Sequence, residues 1–265
     1  MKLQINKIIR LKFNKSVTKR FSLYVWKKLI VFIILYPFME IFAQKIITFP
    51  SLDGLNITSD YYENKIDNPW ILLFHQANYS RGEYKETAER FMKMGYNCLA
   101  VDLRSGNEIN FIKNKTAEIA KEKNLSTTYL DALKDLHAAV EYAYLKSKKP
   151  VILVGSSYSA SLSLMLAKDN SHVKAVIVFS PGEYFEKDNF IRDYIEGLSK
   201  PVFAASSANE YEFMIELLSK IDKNKLTTFK PLKGQGEHGS KALWKSNPTC
   251  DEYWLALMMF FDQIK

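Results

Sequence analysis

The chain has 265 residues, 47% of them hydrophobic, with 37 Lys and Arg against 29 Asp and Glu and a net charge of +8. A pI near 9.2 ordinarily points to nucleic acid or anionic lipid. Here the excess sits at one end, because residues 1–43 hold nine basic residues against Glu40 alone, whereas the other 222 residues carry 28 basic and 28 acidic ones, which excludes nucleic acid as a partner.

After the basic stretch comes an apolar run of 11 residues, Leu29 to Met39, interrupted by Pro37 and followed by Glu40-Ile41-Phe42-Ala43. A bilayer-spanning helix needs about 20 apolar residues, so the run reads as the core of a secretory signal peptide with cleavage after Ala43. An uncleaved membrane anchor is the alternative, in keeping with the long basic region. The expectation is an exported protein, periplasmic or extracellular, touching a membrane only through an uncleaved leader. Residues 44–265 then suffice for one domain with a sizeable core. Cys98 and Cys250 are the only cysteines; an oxidising compartment would allow them to pair, but Cys98 lies in an apolar strand, where a free buried thiol is the commoner state. No Cys and His cluster has metal-ligand spacing.

Lys45 to Phe49 and Leu55 to Tyr62 read as an antiparallel pair joined at Ser51-Leu52-Asp53-Gly54. Trp70 to Phe74 is a continuous apolar strand ending at His75-Gln76-Ala77. A helix follows from Glu83 to Met94, stopped by Gly95, then a strand over Asn97 to Leu103. Residues 104–126, rich in Asn and Lys, read as an irregular surface loop beside the site. Thr127 or Thr128 caps a long helix with Leu133, Leu136, Val140 and Tyr144 on one face. Pro150 introduces the strand from Val151, and Val173 to Phe179, Val202 to Ala205 and Leu226 to Phe229 supply three more. This alternation predicts a mainly parallel eight-stranded sheet with helices on both faces. In such sheets the ligand sits beyond the carboxyl ends of the strands.

The segment Val151 to Leu166 passes from a β-branched strand through small residues into a helical apolar pattern. A nucleophile on a sharp strand-to-helix turn needs small residues two positions before and after it. Gly155 and Ser159 meet this need around Ser157, whereas Ser156 would be flanked by Val154 and Tyr158. A serine hydroxyl needs a base, itself oriented by a carboxylate. Of the four histidines, His137 falls in a helical pattern, His172 in a polar connection, and His75 at a strand end where it braces the loop. His238, in Gly234-Gln235-Gly236-Glu237-His238-Gly239, has glycines that let the backbone turn its imidazole over the sheet. Glu210, after the strand Val202 to Ala205, and Glu183, in Ser180-Pro181-Gly182-Glu183, compete for the acid. Glu210 is favoured because the loop after the penultimate strand normally holds it for this chain order.

The elbow Gly155-Ser156-Ser157-Tyr158-Ser159, the strand end His75-Gln76-Ala77, Glu210 and the glycine-flanked His238 together resemble an α/β-hydrolase, nearest to the compact dienelactone-hydrolase-like and small serine esterase branch. Many relatives have His-Gly where this chain has His75-Gln76, and glycine where it has Ser159. The resemblance implies an oxyanion hole made by the backbone N–H groups of Tyr158 and Ala77, with Gln76 supporting the loop. It implies a serine hydrolase that cleaves a carboxylic ester or related acyl bond through Ser157, His238 and Glu210 and an acyl-enzyme, with no cofactor and no metal. Alternatives are a weak or inactive binding protein of the same fold and a cofactor-free lyase using the same triad. About 21 residues separate Phe179 from Val202, room for one helix and no large lid. The expected site is open, suited to small-molecule esters or to an acyl group on a bulky carrier. Tyr79, Arg81 and Arg104, near strand ends, are candidates for contact with a polar substrate group, with packing and ion pairing as the alternative.

Overall fold

The computed structural model describes residues 44–265 apart from Glu186. The leader and its cleavage point lie outside the described residues. Eight strands form one sheet: β1 (Gln44–Pro50), β2 (Asn56–Tyr62), β3 (Trp70–Phe74), β4 (Asn97–Val101), β7 (Val151–Ser156), β8 (Val173–Phe179), β9 (Val202–Ala205) and β10 (Leu226–Phe229), in spatial order β1-β2-β4-β3-β7-β8-β9-β10. The β1–β2 and β2–β4 pairs are antiparallel and all other pairs parallel. A separate two-stranded ribbon, β5 (Glu108–Ile109) with β6 (Ile112–Lys113), stands apart from it.

The central strands are buried on both faces, and alternate side chains enter two different cores. Leu72 and Phe74 of β3 pack with Leu136, Val140 and Leu162, the apolar side chains of α3 (Leu133–Ser147) and α4 (Tyr158–Asp169). Ile71 and Leu73 pack with Phe91, Trp254, Leu257 and Phe260 of α1 (Lys85–Lys93) and α7 (Cys250–Gln263). Each fully buried ring of this size contributes about 1.5–3 kcal/mol relative to exposure, so both layers hold the sheet firmly under the loops at its carboxyl edge.

Chain order runs outward from β3 to β4 and then returns to place β7 on the other side of β3, with Phe74 beside Gly155. That switch leaves a crevice between the ends of β3 and β7, where the loop at His75 and the serine at 157 meet.

Residues 104–126 are not an irregular loop. They contain β5, β6 and α2 (Lys115–Glu122), whose cap is Asn114, accepting from the Ala117 N–H at 2.8 Å. Polar composition concealed these elements because two-residue strands have no legible periodicity. Neither Thr127 nor Thr128 caps α3: a 3-10 turn, Leu130–Ala132, with Tyr129 at its cap, leads directly into the helix through Ala132, and the Thr128 hydroxyl accepts from the Asp131 N–H (3.3 Å) within that approach. The helix expected from Glu83 begins as a 3-10 turn, Arg81–Tyr84, before α1. Between β8 and β9 lies one short helix, α5 (Phe190–Tyr194), and α6 (Tyr211–Leu217) follows β9. Among the described residues no helix is long and apolar enough to cross a membrane.

Candidate active site

Ser157 sits between β7 and α4 at φ 58° and ψ −123°. Non-glycine residues pay in strain for such a conformation, and here neighbouring contacts enforce it. The Ser157 N–H donates to the Phe179 carbonyl (2.9 Å) and its own carbonyl accepts from the Ala160 N–H (2.9 Å). A Cβ on Gly155 would lie 2.5 Å from the Ala160 Cα, so only glycine fits two residues before the turn. Two residues after it, the Ser159 hydroxyl accepts from the Ser156 N–H (2.9 Å) and donates to the Phe74 carbonyl (2.7 Å). This serine is small enough for the turn and also ties the elbow to the end of β3.

His238 and Glu210 come from two further loops. The His238 Nδ1 hydrogen-bonds the Glu210 carboxylate. The second Glu210 oxygen accepts from the Ser180 hydroxyl (2.7 Å), and that hydroxyl accepts from the Gly239 N–H (3.0 Å). Ser180 is itself at φ 51°, a strained position at the end of β8 that aims its side chain between acid and base loops. Ala208 N–H to Gln235 carbonyl (2.8 Å) joins those loops a second time. Burial raises the Glu210 carboxyl, but the bonds from His238 and Ser180 outweigh it and bring it down to about 2. An acid held ionised in this way fixes a proton on Nδ1 and leaves Nε2 as the basic nitrogen.

Glu183 takes a different role. Its carboxylate accepts from the N–H groups of Ile191 (2.8 Å) and Arg192 (2.9 Å), satisfying the start of α5.

A further carboxylate, the buried Glu83, lies where no sequence signal placed it. It accepts from the Gln76 N–H (2.7 Å), the Ser156 hydroxyl (2.7 Å) and the Ser240 hydroxyl (2.5 Å). One side chain thus joins the loop after β3, the strand leading to the elbow, and the segment after His238. Ser156 completes the knot by accepting from the Ser240 N–H (2.8 Å). Gly239, at φ 67°, lets the chain pass so near that a Cβ there would fall 2.5 Å from the Ser156 Oγ. Burial pushes Glu83 up to about 7 against the opposing pull of these bonds and of His238. Sequence reading placed Glu83 at the start of a helix, where an acid ordinarily serves the dipole; Ser180, Ser240 and Tyr184 had no motif to mark them. The Tyr184 hydroxyl donates to the Ser180 carbonyl (2.8 Å).

His75 is fully buried and braces the loop at β3. Its Nε2 accepts from the Leu103 N–H (2.9 Å), so Nδ1 holds the proton that bonds the Gln76 carbonyl (2.8 Å), and burial pushes the imidazole down to about 4. The Gln76 side chain is buried, and its Nε2 has no partner among the described residues. Ala77 follows it at the same loop, and Tyr158 is the first residue of α4, where a helix leaves its N–H free. His172 stacks on Tyr144 (3.6 Å between centroids) and bonds Glu141 (3.0 Å), while His137 lies half-buried on α3.

The arginines nominated for substrate contact are ion-paired inside the fold. Arg81 bridges Asp60 (2.9 Å) and Asp102 (2.6 Å), and Arg104 bridges Asp53 and Asp135 (both 2.7 Å). The Tyr79 carbonyl accepts from the Asn107 N–H (2.9 Å). Cys98 and Cys250 are both free thiols, and burial raises that of Cys98. Among the described residues no group of three or more His, Cys, Asp or Glu is placed to hold a metal ion.

A mostly parallel sheet with a serine at a strained strand-to-helix elbow, and an acid and a histidine on the loops after β9 and β10, defines the α/β-hydrolase class. Solved structures share this fold: an esterase from Pyrococcus furiosus (TM-score 0.62, 16% identity, covering 84% of this chain and 93% of that one), a dienelactone hydrolase from Anabaena variabilis (0.61, 13%, 82% and 95%) and an α/β hydrolase from a Penicillium species (0.62, 14%, 83% and 98%). Comparison with curated protein sequences gives no match. The model of the dienelactone hydrolase family matches residues 59–228, and the chain belongs to that family of hydrolases.

Proposed function

We propose that this protein is a serine hydrolase that cleaves carboxylic esters, or related acyl bonds, through Ser157, His238 and Glu210. The observation that carries the reading is Ser157 on its strained elbow, with the Glu210–His238 pair on neighbouring loops of the same sheet edge. In the first step His238 Nε2 takes the proton of Ser157 as Oγ bonds to the acyl carbon, and the carbonyl π electrons move onto its oxygen. The N–H groups of Tyr158 and Ala77 hold that oxyanion, each donor worth about 3 kcal/mol in the transition state. The intermediate re-forms its carbonyl and expels the alcohol oxygen, which receives the proton from His238, leaving Ser157 acylated. Water then attacks the acyl-enzyme with His238 as base, and the acid departs as Ser157 regains its proton. Glu210 stabilises the imidazolium formed at both stages.

The same reading takes the chain as exported, with its leader removed after Ala43 or retained as an anchor. The chain of steps needs neither metal nor organic cofactor.

Labelling of the purified protein with a fluorophosphonate, followed by mass mapping, tests the reading without knowledge of the substrate. The expected result is a label on Ser157 that is lost in His238→Ala. A folded protein that takes no label, or a Ser157→Ala variant that hydrolyses esters as fast as the parent, would overturn it.

A further inference from the structure

A cleft of about 440 Å³ is lined by Tyr129, Leu130, Tyr184, Phe185 and Phe190, with Lys187 among its lining residues. Four of these are aromatic and only partly buried: they pack against the core on one side and leave ring surface facing the cleft. Two contacts connect the cleft to the residues around the proposed triad. Tyr184, on one wall, donates its hydroxyl to the carbonyl of Ser180 (2.8 Å), the residue whose side chain bonds Glu210. Tyr129, on another, stacks on the ring of Tyr158, the residue after the nucleophile, at 4.4 Å between centroids and 21° between planes.

The walls are built in advance. Gly182 exchanges two hydrogen bonds with the Ser161 hydroxyl on α4 (2.7 and 3.0 Å). Glu183 holds the start of α5 through the Ile191 and Arg192 N–H groups. Phe185 and Phe190 meet edge to face at 5.7 Å between centroids. A cleft that keeps its shape without ligand loses little freedom on binding. Its size lies within the range usual for small-molecule sites, and since a cavity of about 150 Å³ already admits benzene, it has room for a six-membered ring and several more atoms. Ring edges and faces in the walls suit another ring, whose quadrupole favours offset and edge-to-face contact.

Resting on the ester-hydrolase reading above, we infer that Tyr129, Tyr184, Phe185 and Phe190 form a subsite for an aromatic ring, so that the substrates are esters carrying an aryl group a few bonds from the scissile carbonyl. Short aliphatic esters fill only a fraction of this space and gain none of the ring contacts. A ring on the acyl part and a ring on the alcohol part present the same chemistry to these walls.

Two measurements test the subsite. Turnover is followed by proton release for methyl 3-phenylpropanoate, with the ring on the acyl side, 2-phenylethyl acetate, with the ring on the alcohol side, and methyl butanoate. The expected outcome is a kcat/KM for one of the aryl esters at least tenfold above that of methyl butanoate. In Phe185→Ala this preference should shrink by about tenfold, the loss usual for one ring contact and its burial, with methyl butanoate turnover and fluorophosphonate labelling unchanged. Binding of methyl 3-phenylpropanoate and 2-phenylethyl acetate to Ser157→Ala is measured by calorimetry, which needs no catalysis. Binding of the preferred ester to Ser157→Ala and its weakening by about tenfold in Ser157→Ala with Phe185→Ala supports the subsite even if labelling fails and the hydrolase reading falls. Normal labelling at Ser157 with equal turnover of aryl and aliphatic esters, or no binding of either aryl ester to Ser157→Ala, overturns the subsite and leaves the hydrolase reading to its own test.

Discussion

Replacing Glu83 with Gln changes one oxygen for an amide nitrogen in a knot that joins three loops. The carboxylate accepts at both oxygens, from the Ser156 and Ser240 hydroxyls on one and from the Gln76 N–H on the other. The glutamine has a single acceptor oxygen. If that oxygen serves the two hydroxyls, its NH₂ faces the Gln76 N–H, donor against donor, and a buried donor without a partner costs about 1–3 kcal/mol. Relief comes by moving the loop that carries Ala77. If the oxygen instead serves Gln76, the NH₂ forces Ser156 and Ser240 to turn, and Ser156 already accepts from the Ser240 N–H. In the first arrangement an oxyanion donor leaves its place, a loss of about 3 kcal/mol, or roughly 100-fold in kcat. We expect Glu83→Gln, assayed above about pH 8 where the parent carboxyl is ionised, to lower kcat on a soluble ester by about 30- to 100-fold with KM within about threefold, because the donor acts on the transition state and not on the ground-state substrate.

The same substitution has a signature in stability. Burial raises the Glu83 carboxyl to about 7, whereas the unfolded side chain titrates near 4.5, so between these values the folded protein binds more protons than the unfolded one. Stability contributed at this site is therefore fully present below about pH 4.5, falls as pH rises, and is gone above about pH 7. The difference amounts to about 3 kcal/mol. The neighbours that face this carboxyl are the two hydroxyls, the Gln76 N–H and His238. Urea denaturation at a series of pH values should show parent stability declining relative to Glu83→Gln from pH 4.5 to 7 and running parallel above that. Parallel curves throughout, together with kcat within twofold of the parent, would refute the view that this acid holds the loops in register.

Gly155→Ala puts a Cβ 2.5 Å from the Ala160 Cα; overpacking of this kind costs about 1–3 kcal/mol or more, so a lower urea midpoint and loss of fluorophosphonate labelling are expected, and an unchanged midpoint would contradict the reading of the elbow. Ser159→Gly removes the partner of the Ser156 N–H and one of two donors to the Phe74 carbonyl, which keeps the Tyr84 hydroxyl; the expected loss is about 1–3 kcal/mol of stability by denaturation. Arg104→Met leaves the fully buried Asp135 without its cation; about 3–5 kcal/mol of stability should go, and the urea midpoint should recover in large part when Asp135→Asn is added. Glu210 has the opposite sign to Glu83: its folded value, about 2, lies below the unfolded one, so its stabilising share is present above about pH 4.5 and disappears as pH falls toward 2. Glu210→Gln should flatten that acid limb in denaturation experiments at pH 2 to 5.

Buried strands are legible because a segment covered on both faces must be apolar throughout, as Trp70–Phe74 and Val151–Val154 are. The elbow is legible for a steric reason: Gly155 is needed by a clash with atoms only five residues on, so the requirement is local. Contacts that span long separations leave no such trace. Glu83 meets Ser156 from 73 positions away and Ser240 from 157, and nothing in Ser80-Arg81-Gly82-Glu83 announces either. Even Asp102 and Asp135, which fix the two arginines, look like ordinary loop and helix acids until the sheet brings them together.

The pair Glu183 and Glu210 carries this point furthest. Each stands three residues after a serine that follows a buried strand, Ser180 in one case and Ser207 in the other, so local sequence treats them almost alike. What separates them is the backbone at Ser180. Its positive φ turns the hydroxyl away from Glu183 and toward the next loop, where it donates to Glu210 and accepts from Gly239. Glu183 is left to satisfy two N–H groups at the start of α5, which a carboxylate does well and a histidine partner would not permit. Converting Glu183 to Gln should then keep labelling at Ser157 and loosen α5 together with the ring cleft that it closes, whereas Glu210→Gln should abolish efficient labelling and leave the cleft intact. Two acids whose local sequence is nearly alike thus meet different partners, and one strained serine stands between them.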